Sequence, residues 1–170
     1  MTLLMRQATL ADAMLLSEMG YRIYRAHFEH LWVSESELHQ FLASEYSLPV
    51  LEQSLQEHSV CWYVAETDRP MGFAKVTDKS TIPDTNISGM LLNKLYFDPA
   101  ESGKGYGQLM FETIKARARA NGTTFLWLEV LEQNERACHF YNKQGMEHIK
   151  STLFTTASQQ SVLRIMGVSL

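Results

Sequence analysis

Between Tyr96 and Val130 an apolar strand pattern, a glycine-rich hexapeptide and an amphipathic helix pattern follow one another without a break. The hexapeptide, Ser102-Gly103-Lys104-Gly105-Tyr106-Gly107, sets glycines at alternate positions. Glycine loses more conformational freedom on folding than any other residue, so a turn alone gives little reason for three. Ahead of a helix the arrangement has another use. The first N–H groups of a helix lack intrahelical acceptors, and the helix dipole adds partial positive charge. Missing Cβ atoms then let a bulky anion approach the main chain. Lys104 and Gln108 offer further donors at the rim. Two phosphate motifs do not fit. A P-loop needs Ser or Thr after its lysine, whereas Lys104 precedes Gly105; a dinucleotide fingerprint is G-x-G-x-x-G, whereas this spacing is G-x-G-x-G. A glycine turn without a ligand stays open as the alternative.

The flanking periodicities predict one mixed α/β domain over residues 1–170. "LLMRQA" reads as a short strand and Thr9-Leu10-Ala11-Asp12 as a capping-box-like helix start. Leu15, Met19, Ile23 and Ala26 recur at helical spacing and predict the apolar face of a first helix. Ser34-Glu35-Ser36-Glu37 opens a second helix, and Pro49 suits the first turn of a short third. "VCWYVAET" and "MGFAKVTD" form a hairpin across Asp68-Arg69-Pro70, and "ISGMLLNKLYF" is a longer strand. The helix after the glycines runs from about Gly105 to Asn121, with Gly122 as its C-cap. "TFLWLEV" predicts a strand buried on both faces. Asn134 opens a helix through Tyr141 that Gly145 stops, and "MEHIKSTLF" with "SVLRIMGVS" closes as a hairpin. The order is β-ααα-β-β-β-α-β-α-β-β.

Charge and composition exclude some classes. The net charge of −4 gives no general basic character for nucleic acid or an anionic membrane. No apolar run is long enough to span a bilayer, and "MTLLMRQATLADA" lacks a signal-peptide layout, so a cytoplasmic protein is expected. Cys61 and Cys138 have apolar neighbours and no C-x-x-C spacing, which predicts buried free thiols rather than a metal or redox site.

The stretch around Gly105 and Gly107 resembles motif A of the GCN5-related N-acetyltransferases, Q/R-x-x-G-x-G/A, with Ser102 at the Gln/Arg position. "KLYFDPAESGKGYGQLM" resembles the family's fourth strand and loop, and "LWLEVLEQNERACHFYNKQGM" its fifth strand and following helix. "AHFEHLW", "ELHQFLASEYS" and "WYVAETDRPMGFAKV" are similar in layout to the PaiA-like polyamine acetyltransferase branch. The resemblance implies a central, mostly antiparallel, twisted sheet of about seven strands, flanked by helices and splayed between the fourth and fifth. It also implies acetyl-CoA as acyl donor, with coenzyme A as product and a small primary amine as acceptor. A protein N-terminus or lysine is the alternative acceptor, and a non-catalytic acyl-CoA sensor the rival class. A monomer or homodimer is expected.

By the same resemblance, Leu95, Tyr96 and Phe97 line the pantetheine arm, whose extended amides can pair with a strand edge. Gly103, Lys104, Gly105, Tyr106, Gly107 and Gln108 hold the pyrophosphate. Asn134, Cys138 and Tyr141 share one helix face. Asn134 either caps its helix or also faces the cofactor, and Lys143 is a partner for the 3′-phosphate or a solvated lysine. Tyr141 matches the family's acid, which protonates the departing thiolate. Glu129 is a candidate base, resembling the glutamate–tyrosine pair of the branch that acetylates protein N-termini; a salt bridge or hydrogen bond is its alternative, and bound water relaying the proton to Glu29 or to bulk is a third route. Tyr21, Tyr24, Phe28 and Trp32, with Glu29, Glu35 and Glu37 nearby, form either core or a surface for a cationic amine.

Overall fold

The computed structural model of the chain describes residues 2–170. Its elements are β1 (Leu4–Gln7), α1 (Ala13–Phe28), α2 (Glu35–Tyr46), α3 (Leu48–Ser54), β2 (Val60–Glu66), β3 (Pro70–Thr81), β4 (Ser88–Phe97), α4 (Tyr106–Ala120), β5 (Phe125–Leu131), α5 (Glu135–Lys143), β6 (Glu147–Thr155) and β7 (Gln160–Ser169). The strands form one mixed seven-stranded sheet in the order β1-β2-β3-β4-β5-β7-β6, flanked by helices. Element order and strand number agree with the sequence pattern. The chain packs as two compact units: the segment ending at Val76 with Lys94–Phe111, and Thr77–Asn93 with Glu112–Leu170.

In the first unit β1 and β2 are antiparallel, with Leu4 opposite Glu66 and Gln7 opposite Tyr63. Arg6 ties this pair to the helix start. Its guanidinium donates to both oxygens of Asp12 at 2.9 and 3.0 Å and to Glu66 at 3.1 Å, while Thr9 N–H donates to Asp12 Oδ2 at 2.8 Å. The face that α1 buries is Leu16, Met19, Gly20, Ile23, Tyr24 and Phe28. The expected face was rotated: Leu15 is only partly buried and Ala26 is exposed. Gly20 explains the choice, because a Cβ there would collide with the Tyr46 ring, so the helix turns this face toward α2. Ser34 caps α2 by accepting from Glu37 N–H at 3.2 Å, and Pro49 sits in the first turn of α3. Leu16, Met19, Ile23, Leu38, Leu42, Tyr46, Leu51, Trp62, Met71 and Phe73 are fully buried. Each such side chain contributes about 1.5–3 kcal/mol of transfer free energy.

In the second unit β4 and β5 run parallel, but their pairing covers only Met90 opposite Leu126 and Leu91 opposite Trp127. β5 and β7 are antiparallel from Phe125 opposite Ser169 to Leu131 opposite Leu163, and β6 pairs with β7 across a register shift between His148 and Lys150. Ile82, Trp127 and Ile165 form the core there, with Leu91, Phe125 and Ile149 against it. The burial expected of β5 fails at one position. Leu126, Trp127, Leu128 and Val130 are buried, but Glu129 is exposed. No described helix is long and apolar enough to cross a membrane.

Candidate functional site

The glycine loop belongs to the first unit. Asp98 starts it: its carboxylate accepts from Ala100 N–H at 3.0 Å and from Arg22 at 2.9 Å. Burial pushes the Asp98 carboxyl up, but these donors outweigh it and hold it below its ordinary range. Glu101 accepts from Arg69 at 3.2 Å and from Lys104 at 2.6 Å, and this bond raises the Lys104 ammonium. Gly103 and Gly105 both adopt positive φ, 81° and 77°. Other residues are strained in that region, and a Cβ on either glycine would meet no protein atom within 4 Å. Backbone conformation therefore requires these glycines, and the space before them is open.

α4 then begins at Tyr106, and Leu109 N–H is the first to find an acceptor behind it, Gly105 O at 3.2 Å. The N–H groups of Tyr106, Gly107 and Gln108 precede it and have no intrahelical acceptor. Open space, unpaired N–H groups and a helix N-terminus fit a diphosphate. Lys104 is exposed but already paired, so it joins a ligand only by sharing or leaving Glu101.

Leu95, Tyr96 and Phe97 end β4 in the same unit and are all partly buried. Gly72 in β3 allows a close approach there, since a Cβ would stand 2.7 Å from Tyr96 O and 2.8 Å from Phe97 Cβ. Asp98 N–H donates to Met71 O at 2.8 Å, and the His27 ring bonds Phe97 O at 2.8 Å. The contacts of His27, Arg22 and Arg69 with this segment carry no signal in the sequence. A contact across 70 residues, such as His27 to Phe97, has no local signal.

Tyr141, Glu129, Asn134 and Lys143 lie in the second unit. Asn134 Oδ1 accepts from Ala137 N–H at 3.2 Å, so it caps α5. Cys138, on the same face, is free and only partly buried, less than expected, with Sγ 3.5 Å from Leu131 O. Tyr141 packs edge-on against Phe140, centroids 5.2 Å apart, and burial raises its phenol well above the ordinary tyrosine range. It stays protonated at neutral pH, as an acid must. Crowding by protein nudges the Glu129 carboxyl upward although the residue is exposed, and solvent access keeps that push modest. Neither a salt bridge nor a hydrogen bond engages the Glu129 side chain among the described residues, so that alternative is set aside. Lys143 is exposed and without an ion-pair partner among the described residues.

The aromatic stripe is chiefly core. Tyr24 and Phe28 are buried with centroids 4.8 Å apart, and Trp32 Nε1 donates to the Tyr24 hydroxyl at 3.2 Å. Burial pushes the Tyr24 phenol to about 12. The nearby carboxylates are engaged. Arg25 lies 3.7 Å from Glu29 and 3.4 Å from Glu35, which also meets His39 at 3.1 Å. Below them Lys94, nearly buried, donates to Glu45 at 2.6 Å and stands 5.1 Å from the Tyr46 ring centroid.

Known proteins share this architecture. The family model described as Acetyltransferase (GNAT) family matches residues 21–146. The peptidyl-lysine N-acetyltransferase YjaB of Escherichia coli (strain K12) is 32% identical over 112 residues, covering 64% of this chain and 65% of that protein. The chain thus matches just under two thirds of that relative's length. Among solved structures, the PaiA N-acetyltransferase of Thermoplasma acidophilum in complex with coenzyme A superposes with a TM-score of 0.80 at 19% identity, covering 100% of both chains. The spermidine/spermine N-acetyltransferase SpeG of Vibrio cholerae gives 0.69 at 13% identity, covering 99% of this chain and 95% of that one. By the family match and the shared fold, this chain belongs to the acetyltransferase (GNAT) family.

Proposed function

We propose that this chain is an acetyl-CoA-dependent N-acetyltransferase, a single domain over residues 1–170, acting on a primary amine. The observation that carries the reading is the open loop with positive φ at Gly103 and Gly105, followed by the unpaired N–H groups of Tyr106, Gly107 and Gln108. These groups would hold the pyrophosphate, with Lys104 at the rim. Leu95, Tyr96 and Phe97 would line the pantetheine arm, with Phe97 offering its N–H because its carbonyl is held by His27, and Lys143 would meet the 3′-phosphate. Asn134, besides its capping role, would stand beside the arm. Acetyl-CoA supplies an activated acyl thioester. Tyr141 then donates the proton that the leaving thiolate needs, and Glu129 is a candidate proton acceptor.

A small polyamine is the first acceptor, supported by the resemblance in fold to PaiA and SpeG. A protein lysine is the second, supported by the relative named a peptidyl-lysine N-acetyltransferase. A panel of spermidine, spermine, aminoglycosides, amino acids and lysine peptides, scored for acetyl-CoA-dependent thiol release, tests both. Release with at least one amine is expected. Silence across the panel contradicts the enzyme reading.

A further inference from the structure

Near the end of α1 the His27 imidazole places Nε2 2.8 Å from the Phe97 carbonyl oxygen. A carbonyl only accepts, so Nε2 carries the hydrogen and Nδ1 presents a lone pair. The peptide from Phe97 to Asp98 fixes where that oxygen points. Its N–H donates to Met71 O in β3 at 2.8 Å, and no described peptide is cis. In a trans peptide C=O and N–H point to opposite sides. The Phe97 oxygen, and the imidazole bound to it, therefore lie on the edge of β4 facing away from β3. Nδ1 has no hydrogen-bond partner among the described residues. None of their side-chain nitrogens or oxygens is both buried and unpartnered, so Nδ1 reaches solvent.

We infer that His27, rather than Glu129, is the proton acceptor for the amine, anchored through Nε2–H by Phe97 and receiving the proton at Nδ1. The inference rests on the reading that Leu95, Tyr96 and Phe97 border the acyl donor. An aliphatic amine is cationic near neutral pH and must lose a proton before it attacks. In the step, an ammonium N–H bond breaks with its electron pair left on nitrogen. An N–H bond forms at Nδ1, directly or through one water, and the imidazolium passes the proton to bulk solvent. The anchoring bond survives, because Nε2 keeps its hydrogen in both charge states.

Aromatic rings flank the imidazole. Phe28 and Tyr96 stand 5.8 and 6.4 Å away by centroid. Among groups close to it in the chain or next to Phe97, Glu29 pairs with Arg25 and Asp98 with Arg22, and neither these nor Tyr24 and His30 hydrogen-bond to the imidazole.

His27→Gln separates proton transfer from positioning, since its amide N–H can still donate to Phe97 but cannot take the proton. With acetyl-CoA and the best panel amine, spermidine or a lysine peptide, kcat/KM should fall 100-fold or more, consistent with loss of a general base. Acetyl-CoA affinity should stay within about twofold, and the acid limb of the pH–rate profile should disappear. His27→Ala should be equally impaired and recover activity on addition of free imidazole. A wild-type protein without thiol release overturns the acetyl-transfer reading and this inference with it. An active wild type whose His27→Gln variant matches it across pH, or a His27→Ala variant that imidazole does not rescue, overturns the role of His27 alone.

Discussion

Arg6 and Asp12 show how one side-chain pair sets a local pH dependence. The bidentate hydrogen bond from Arg6 is the main cause holding the Asp12 carboxyl below its ordinary value, against the upward push of burial. A carboxyl depressed in the folded state stabilises that state above its unfolded pKa, about 3.9, and loses the effect as pH falls through the folded value. Asp12→Asn should therefore destabilise the protein by about 1–3 kcal/mol at pH 7, the scale of a charge-assisted bond. The deficit should shrink steadily below pH ~4. Urea melts of both proteins at pH 7 and pH 3 check this; a deficit that persists in acid contradicts it. At this same scale the exposure of Glu129 is not legible in the sequence. An apolar run such as "TFLWLEV" gives no sign that one position faces water, because alternation is visible only when several polar residues mark the outer face.

Elements carry the glycine argument. A residue other than glycine at position 105 must hold a φ near 77°. That costs about 1–2 kcal/mol for an L-residue. Nothing in the protein opposes the new methyl itself. Gly105→Ala should then lower stability only by that amount, yet weaken acetyl-CoA binding at least tenfold, because the methyl enters the space assigned to the pyrophosphate. Thermal melts with calorimetric titration of acetyl-CoA separate the two effects, and unchanged affinity contradicts the assignment. Strand and helix order was legible in the sequence because turn residues such as Asp68-Arg69-Pro70 and Gly122 punctuate strong periodicities. The buried face of α1 was not. "AMLLSEMGYRIYRAHF" carries two overlapping apolar stripes, and only the tertiary contact of Gly20 with Tyr46 selects between them.

On the scale of the whole molecule, fold and family were legible from residues 95–145, where strand, loop and helix succeed one another under strict backbone demands. The candidate site is less legible, since the contacts around it join residues distant in the chain. His27 meets a carbonyl 70 residues away, and Arg69 reaches Glu101 across 32. The central claim is that the loop at 103–108 binds acetyl-CoA while the protonated phenol of Tyr141 completes the transfer. Tyr141→Phe tests it most directly, with acetyl-CoA affinity and amine-dependent thiol release measured on the same preparations. The account predicts unchanged affinity and a fall in kcat of about 100-fold or more, the scale of a lost general acid. Full turnover by the phenylalanine variant, or a wild-type protein that does not bind acetyl-CoA, contradicts it.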